Sequence, residues 1–535
     1  MEKFLATETL IIELLLIVSI VAIAVRRLRI PYTVALVVVG LLITFQQPLE
    51  FDLTPELILS LFVPPLVFEA AFHIEFKTLR QNLMPILGLA IPGVLVTTFI
   101  VGAIISYALN IPMTTALVFG ALISATDPVA VVSLFKALGA PKRLTTLVES
   151  ESLFNDGTAI VVFQLMVVAA VAAVGGTASE GSAPFDVLAA GIDFIRVAAG
   201  GLLIGVSLGW VIAQIIARID DYLIETTLTT VLAFGAFLLA ERFHVSGVLA
   251  VVAAGLITGN VGPRGMSPTT KIVLFNFWEY LAFVVNSLVF LLIGLDVNLR
   301  EIGANIYPIT IALFAVLASR LLVVYGITSL INLRGGENRL PAAFQHILFW
   351  GGLRGAISLA LALSLPLALP ERDLLRTLTF GVVLFTLLAQ GTTMQFLMRR
   401  LGLGQAHDLE LEYERRHGKL IAAQAALRSV ENLHNENMIS LATWQHIEPK
   451  LQQQVADALE DQRTLIEKHP ELQYEEHEDA EIESLLAQRA ALSTMLSNGV
   501  ISDQVYEELI EDVDLQIGKA RDRPAAEPDA NRLKV

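Results

Sequence analysis

Ser124-Ala125-Thr126-Asp127-Pro128-Val129-Ala130-Val131 lies inside an apolar stretch that runs from Met113 to Leu134. Proline lacks an N–H donor and disfavours helix at the residue before it, so the helix is predicted to break near Ala125–Asp127. A second polar run, Glu149-Ser150-Glu151-Ser152-Leu153-Phe154-Asn155-Asp156, opens the apolar run from Gly157 to Val174. An intramembrane carboxylate is costly and persists mainly where it faces a protein cavity and binds something. The two runs hold four acids, Asp127, Glu149, Glu151 and Asp156, and no Lys or Arg. That imbalance implies an interior site that holds cations.

The rest of the chain supplies a membrane around those acids. Of 535 residues, 55% are hydrophobic and 16% charged, with a mean hydropathy of +0.66. Soluble domains carry roughly 25% charged residues. Apolar runs near 9–25, 32–46, 56–71, 84–108, 113–134, 145–173, 190–217, 226–241, 246–259, 272–295, 304–330, 342–366 and 375–398 suggest about thirteen spans. The first run is read as a retained span. Its basic cluster, Arg26-Arg27-Arg29, follows the apolar run instead of preceding it. With the C-terminus inside, the inner loops hold fifteen Lys/Arg against six in the outer loops, a clear positive-inside bias. The expected fold is an all-α polytopic membrane protein in the plasma (inner) membrane, in contact with lipid.

Residues 405–535 differ in kind. They carry 27 Asp/Glu against 13 Lys/Arg, a net of −14 out of −16 for the whole chain. Amphipathic helices are predicted over 409–437, 443–469, 479–496 and 502–517, with disorder from Ala525 onward. Two domains follow: a transmembrane domain over 1–404 and an acidic, mostly helical cytoplasmic tail over 405–535, expected to be regulatory. Its charge argues against nucleic-acid binding. The Gly/Ala/Ser-rich stretch from Gly175 to Asp186 is read as a flexible outer linker. With no cysteine, disulfides, thiolate metal sites and cysteine nucleophiles are excluded.

A broken helix frees backbone carbonyls and N–H groups, and in transporters such irregular backbone coordinates ions near the membrane midplane. Thr126 can offer its carbonyl and hydroxyl there, and Asp127 its carboxylate. On the following helix Glu151, Ser152, Asn155 and Asp156 form one patch through i, i+3 and i+4 spacing. This oxygen-rich cluster suits a hard monovalent cation. The Asp156 carboxylate can carry either a proton or a cation, which would make exchange obligatory. Phe349-Trp350-Gly351-Gly352-Leu353-Arg354-Gly355 interrupts the twelfth span, and its three glycines permit irregular backbone and close helix approach. A lone intramembrane Arg354 needs an anion, and Glu151 is the expected partner. The partner of Arg320, in the eleventh span, is left open. Asn286 and Ser287 are read as interhelical hydrogen-bonding groups and no more. His73, His244 and His346 are read as interfacial, and no spacing resembles a zinc site.

Taken together, the run Ser124–Val131, the run Glu149–Ala159 and Gly351-Gly352-Leu353-Arg354-Gly355 resemble the NhaP-like sodium/proton exchangers over about residues 10–400. The resemblance implies a thirteen-span inverted-repeat fold with broken helices, a homodimer, and electroneutral exchange of Na+ (or Li+, sometimes K+) for H+ without a cofactor. It implies an ion site from Thr126, Asp127, Ser152 and Asp156, with Asp127 and Asp156 as carboxylate ligands of the cation. Glu151 and Arg354 would be a supporting pair. Asn155 stands where electrogenic relatives carry a second Asp. Ser150 departs from the family's usual glycine. The alternatives are an intramembrane aspartyl hydrolase using Asp127 and Asp156, a cation channel, and a K+-selective antiporter.

Overall fold

The computed structural model describes residues 2–28, 32–46, 57–174, 187–219, 221–262, 268–296, 299–334, 339–403, 405–436, 438–469, 472–497, 500–502, 505–506, 508–510, 513 and 516. Among the described residues every regular element is helical. Contacts divide the chain into two units, Met1–Gly404 and Gln405–Val535.

The first unit begins with α1 (Glu2–Leu28) and α2 (Tyr32–Gln46). A π-helical turn over Leu57–Phe62 leads into α3 (Val63–His73). Pro64 and Pro65 fall in the first turn of α3, where missing N–H donors cost little within the helix. They also leave the carbonyls four residues back unpaired, and the chain there winds as a wider turn. The short α4 (Phe76–Gln81) precedes α5 (Leu83–Ala90) and α6 (Pro92–Leu109), one span kinked at Pro92. Then come α7 (Met113–Leu122), α8 (Val129–Leu138), α9 (Lys142–Val174), α10 (Val187–Ile216), α11 (Tyr222–Arg242) and α12 (Gly247–Val261). Caps fix several ends. Asp221 accepts from the Leu223 and Ile224 N–H groups ahead of α11, Ser246 accepts from Leu249 ahead of α12, and Gly139 closes α8 at φ +63°.

The unit continues with α13 (Pro268–Asp296), the short α14 (Leu299–Ala304), α15 (Ile306–Arg334), α16 (Ala342–Trp350) and α17 (Ala356–Leu363). It ends with α18 (Arg372–Phe385), a π-helical turn over Thr386–Gln390, and α19 (Gly391–Arg400). Joined across their kinks and breaks, the described helices make thirteen apolar segments at the expected places. Seven of the helices are long and apolar enough to cross a membrane unaided. Exposed Ile192, Ile195, Leu203 and Trp210 on α10 suit a lipid-facing wall.

Two segments are interrupted in mid-course, the fifth between α7 and α8 and the twelfth between α16 and α17. They lie seven segments apart. An odd offset makes them run in opposite directions across a membrane, as two inverted halves require. Close backbone approach holds this bundle together. A Cβ on Gly40 would meet the Gly294 Cα at 2.8 Å, so α2 and α13 touch at backbone distance. A Cβ on Gly259 would run into the Phe72 backbone, where α12 crosses α3.

In the second unit α20 (Gln405–Asn435) packs on α21 (Leu441–Lys468), followed by α22 (Leu472–Ser497). Tyr413 and Leu465 bury each other's apolar surface, and the Arg416 guanidinium donates to the Asp461 carbonyl at 2.6 Å. Ser440 caps α21 by accepting from the Thr443 N–H. The helix α22 starts at Leu472, earlier than the apolar periodicity suggested, because the Glu-rich stretch before Glu481 is itself strongly helix-forming. The predicted outer linker, the end of the 502–517 helix and the terminal tail fall largely or wholly outside the described residues.

A candidate cation site at two crossed helix breaks

The break after α7 frees the carbonyls of Ser124, Ala125 and Thr126, and each finds a partner. Arg354 donates through Nη1 to the Ser124 and Ala125 carbonyls at 2.8 and 3.0 Å. Ser358, one turn beyond Arg354, donates to Ala125 at 3.3 Å. The Thr126 carbonyl accepts the Ser152 hydroxyl in a short hydrogen bond. Asp127 accepts the Val129 N–H at 2.9 Å through Oδ1, a local side-chain bond across Pro128 to the first residue of α8.

The break between α16 and α17 meets the first one directly. The Asp127 N–H donates to the Leu353 carbonyl at 2.8 Å, so the two irregular backbones hydrogen-bond to each other. The Arg354 N–H donates to the Thr386 hydroxyl in the π-helical turn. Glycine is required here: a Cβ on Gly355 would occupy the place of the Asp127 carboxylate.

Ser152 and Asp156, on α9, face the crossing. Together with Thr126, Asp127, Glu149 and Ser358 they line a cavity of about 80 Å³, room enough for an ion with part of its water. Asp156 is 9% exposed and its Oδ1 has no hydrogen-bond partner. The patch expected on α9 therefore divides. Ser152 and Asp156 turn to the cavity, while Glu151 and Asn155, each one residue earlier, turn into the protein. Asn155 donates to the Thr126 hydroxyl at 3.1 Å and to Glu151 at 3.4 Å, bracing the broken segment from behind.

The expected Glu151–Arg354 pair is not formed. Glu151 pairs with Arg320 instead, in a bidentate contact of 2.8 and 3.2 Å. Arg320 also donates to the Leu348 carbonyl at the end of α16, at 2.9 and 3.2 Å. A Cβ on Gly352 would meet its Nε at 2.7 Å. The physical reason is a competition between two kinds of acceptor. Arg354 is taken by the freed carbonyls of the α7 end, the negative end of that half-helix, which leaves Glu151 to Arg320. Two arginines and one buried acid of the inner face cannot be matched by sequence alone. Sequence reasoning also missed Ser358 and Thr386. The i, i+4 spacing of Arg354 and Ser358 was the available signal.

Two short-circuited helices crossing at a buried carboxylate, inside an apolar bundle, define a secondary transporter for small cations. The sodium/hydrogen exchanger transmembrane family profile matches residues 14–400, and the chain belongs to that family. It is 42% identical over 403 residues to the Na+/H+ antiporter ApNhaP of Aphanothece halophytica, covering 75% of each chain. It is 36% identical over 503 residues to the Na+/H+ antiporter NhaG of Bacillus atrophaeus, covering 91% of this chain and 93% of that one. In fold it is similar to the sodium proton antiporter MjNhaP1 of Methanocaldococcus jannaschii, with a TM-score of 0.60 at 21% identity, over 75% of this chain and 99% of that one. The family consists of transporters, which removes the aspartyl hydrolase reading.

Proposed function

We propose that the protein exchanges Na+ for H+ by alternating access, one ion for one proton, with Asp156 as the shared carrier. The observation that carries this reading is the unpartnered Asp156 oxygen in the cavity at the crossed breaks. Asp127, the Thr126 carbonyl and the Ser152 hydroxyl complete an oxygen set suited to a hard monovalent cation. Charge balance at the crossing itself supports the stoichiometry. There Asp127, Glu151 and Asp156 stand against Arg320 and Arg354, a net of one negative charge when all are ionised; Glu149, which also lines the cavity, interacts with Lys136 and lies outside that set. In a low-dielectric interior that surplus calls for one positive charge, which one Na+ or one proton supplies equally. Asn155, a neutral amide, adds no second proton site.

The cavity includes Glu149, near the start of α9, where Lys142 and Arg143 also lie. The positive-inside pattern assigns that end of the cavity to the cytoplasmic side of a plasma membrane, with the C-terminal unit in the cytoplasm. A homodimer driven by ion gradients alone, with no cofactor, completes the reading, and the acidic C-terminal unit tunes the pH or ion range. Li+ and K+ satisfy the same oxygen ligands and are the competing substrates. Counterflow in proteoliposomes with each cation is the decisive test: pH-gradient-driven uptake of Na+ without current is expected, and uptake of K+ alone would replace Na+ with K+.

A further inference from the structure

The cavity has two walls of different chemistry. One is the crossing, with its carboxylates, carbonyl and hydroxyls. The other is built by Val63, Leu66, Val67 and Ala70 of α3 with Asn286 of α13. Asn286 is the single polar side chain on that second wall, and it hydrogen-bonds to no other described residue. A neutral amide without a hydrogen-bond partner in an otherwise apolar wall of the cavity that Asp156 also lines calls for an explanation.

Its direction is fixed by packing. The Ser287 hydroxyl bonds the Tyr32 hydroxyl at 2.9 Å, Phe283 stacks on Tyr32 at 5.4 Å, and Gly294 lies against Gly40. These three residues share one helix face and lock α13 onto α2. Asn286 precedes Ser287 and is rotated by about 100° from it, off that locked face. The strip Asn286, Val289, Ile293 follows i, i+3, i+7. Beyond Asn286 it lines a wholly apolar void with Ile58, Phe62 and Leu359. Asn286 is thus the last polar residue of this strip before the apolar void.

We propose that Asn286 is the second-wall ligand of the transported cation, its Oδ1 joining the ion's oxygen shell directly or through one water. An amide oxygen replaces hydration without changing the net charge of the site, so one-for-one exchange is preserved. A carboxylate at the same place would add a charge, and an aliphatic residue would leave the ion short of a ligand on its apolar side. The inference rests on the proposed cation site around Asp156.

The test uses the full chain, purified and reconstituted in proteoliposomes. Asn286→Leu keeps the volume and removes the oxygen, whereas Asn286→Asp keeps both shape and oxygen. Asn286→Leu should raise the apparent KM for Na+ about tenfold, the worth of one lost ligand, with the maximal rate little changed. It should also remove most of the Na+-induced rise in melting temperature in detergent. Asn286→Asp should leave the KM at or below the native value. An unchanged KM and unchanged Na+ stabilisation in Asn286→Leu would overturn the proposal. So would an equal rise in KM for both variants, which would mean packing alone. Should Asn286→Leu fail to fold, Asn286→Ala takes its place: the same rise in KM and loss of Na+ stabilisation are expected, and native values of both would overturn the proposal. Asp156→Asn, run in parallel, separates the two readings: Na+ stabilisation that survives in Asp156→Asn sinks the carrier assignment, whatever Asn286 does.

Discussion

The two helix breaks look alike in the backbone and differ in charge. The first, at Thr126-Asp127, presents oxygen to the cavity. The second, at Gly351–Gly355, presents Arg354, which fills the carbonyl cluster left by the end of α7. In effect a fixed guanidinium satisfies one group of freed carbonyls, while the Thr126 and Asp127 oxygens line the cavity. On the proposed mechanism, crossing two breaks therefore makes one ion site: one break is compensated by Arg354, and the other would be compensated by turns.

The sharpest way to break this comparison is at the exchangeable side. Asp156→Asn should reduce exchange in proteoliposomes to the leak of protein-free vesicles while the protein remains folded and monodisperse. Near-native exchange would place the carrier elsewhere. The compensated side should fail differently, through stability. Glu151→Gln or Arg320→Leu alone strands a buried charge and should cost about 3–5 kcal/mol, whereas the double variant should recover much of it. Thermal melts giving a stronger coupling for Glu151 with Arg354 than with Arg320 would overturn the observed pairing.

The two glycines beside the arginines should separate the roles again. Gly355→Ala collides with the Asp127 carboxylate and should lower exchange more than melting temperature. Gly352→Ala collides with Arg320 and should cost about 1–3 kcal/mol of stability. Equal effects of both on both readouts would erase the distinction between the breaks. A smaller effect concerns voltage. If one site charge is exchanged by turns, transport in valinomycin-clamped vesicles should be independent of potential, and a potential-dependent rate would require a second titrating charge. The smallest effect is expected from the C-terminal unit: truncation after residue 404 should leave exchange measurable with a displaced pH profile. An unchanged profile would leave that unit without a regulatory role.

Much of this was legible in the chain. Pro128 after Asp127, and three glycines around Arg354, announce both breaks, because each acts on its own backbone and needs no neighbour. The thirteen segments follow from apolar length for the same local reason. The acids of α9 signal a polar cluster inside the bundle, because a carboxylate there is costly unless it faces a partner or a cavity. Sequence could not say which arginine meets Glu151, since that choice depends on which guanidinium the freed carbonyls of α7 capture first. Nor could it divide the α9 patch into a cavity face at Ser152 and Asp156 and an inner face at Glu151 and Asn155. Asn286 read as an ordinary interhelical amide, and only the anchoring of α13 on α2 turned it to the cavity. Local rules fix where a helix stops and which residues are costly to bury. The pairing of buried charges and the facing of side chains belong to the tertiary structure, because each partner's alternatives lie on helices hundreds of residues away.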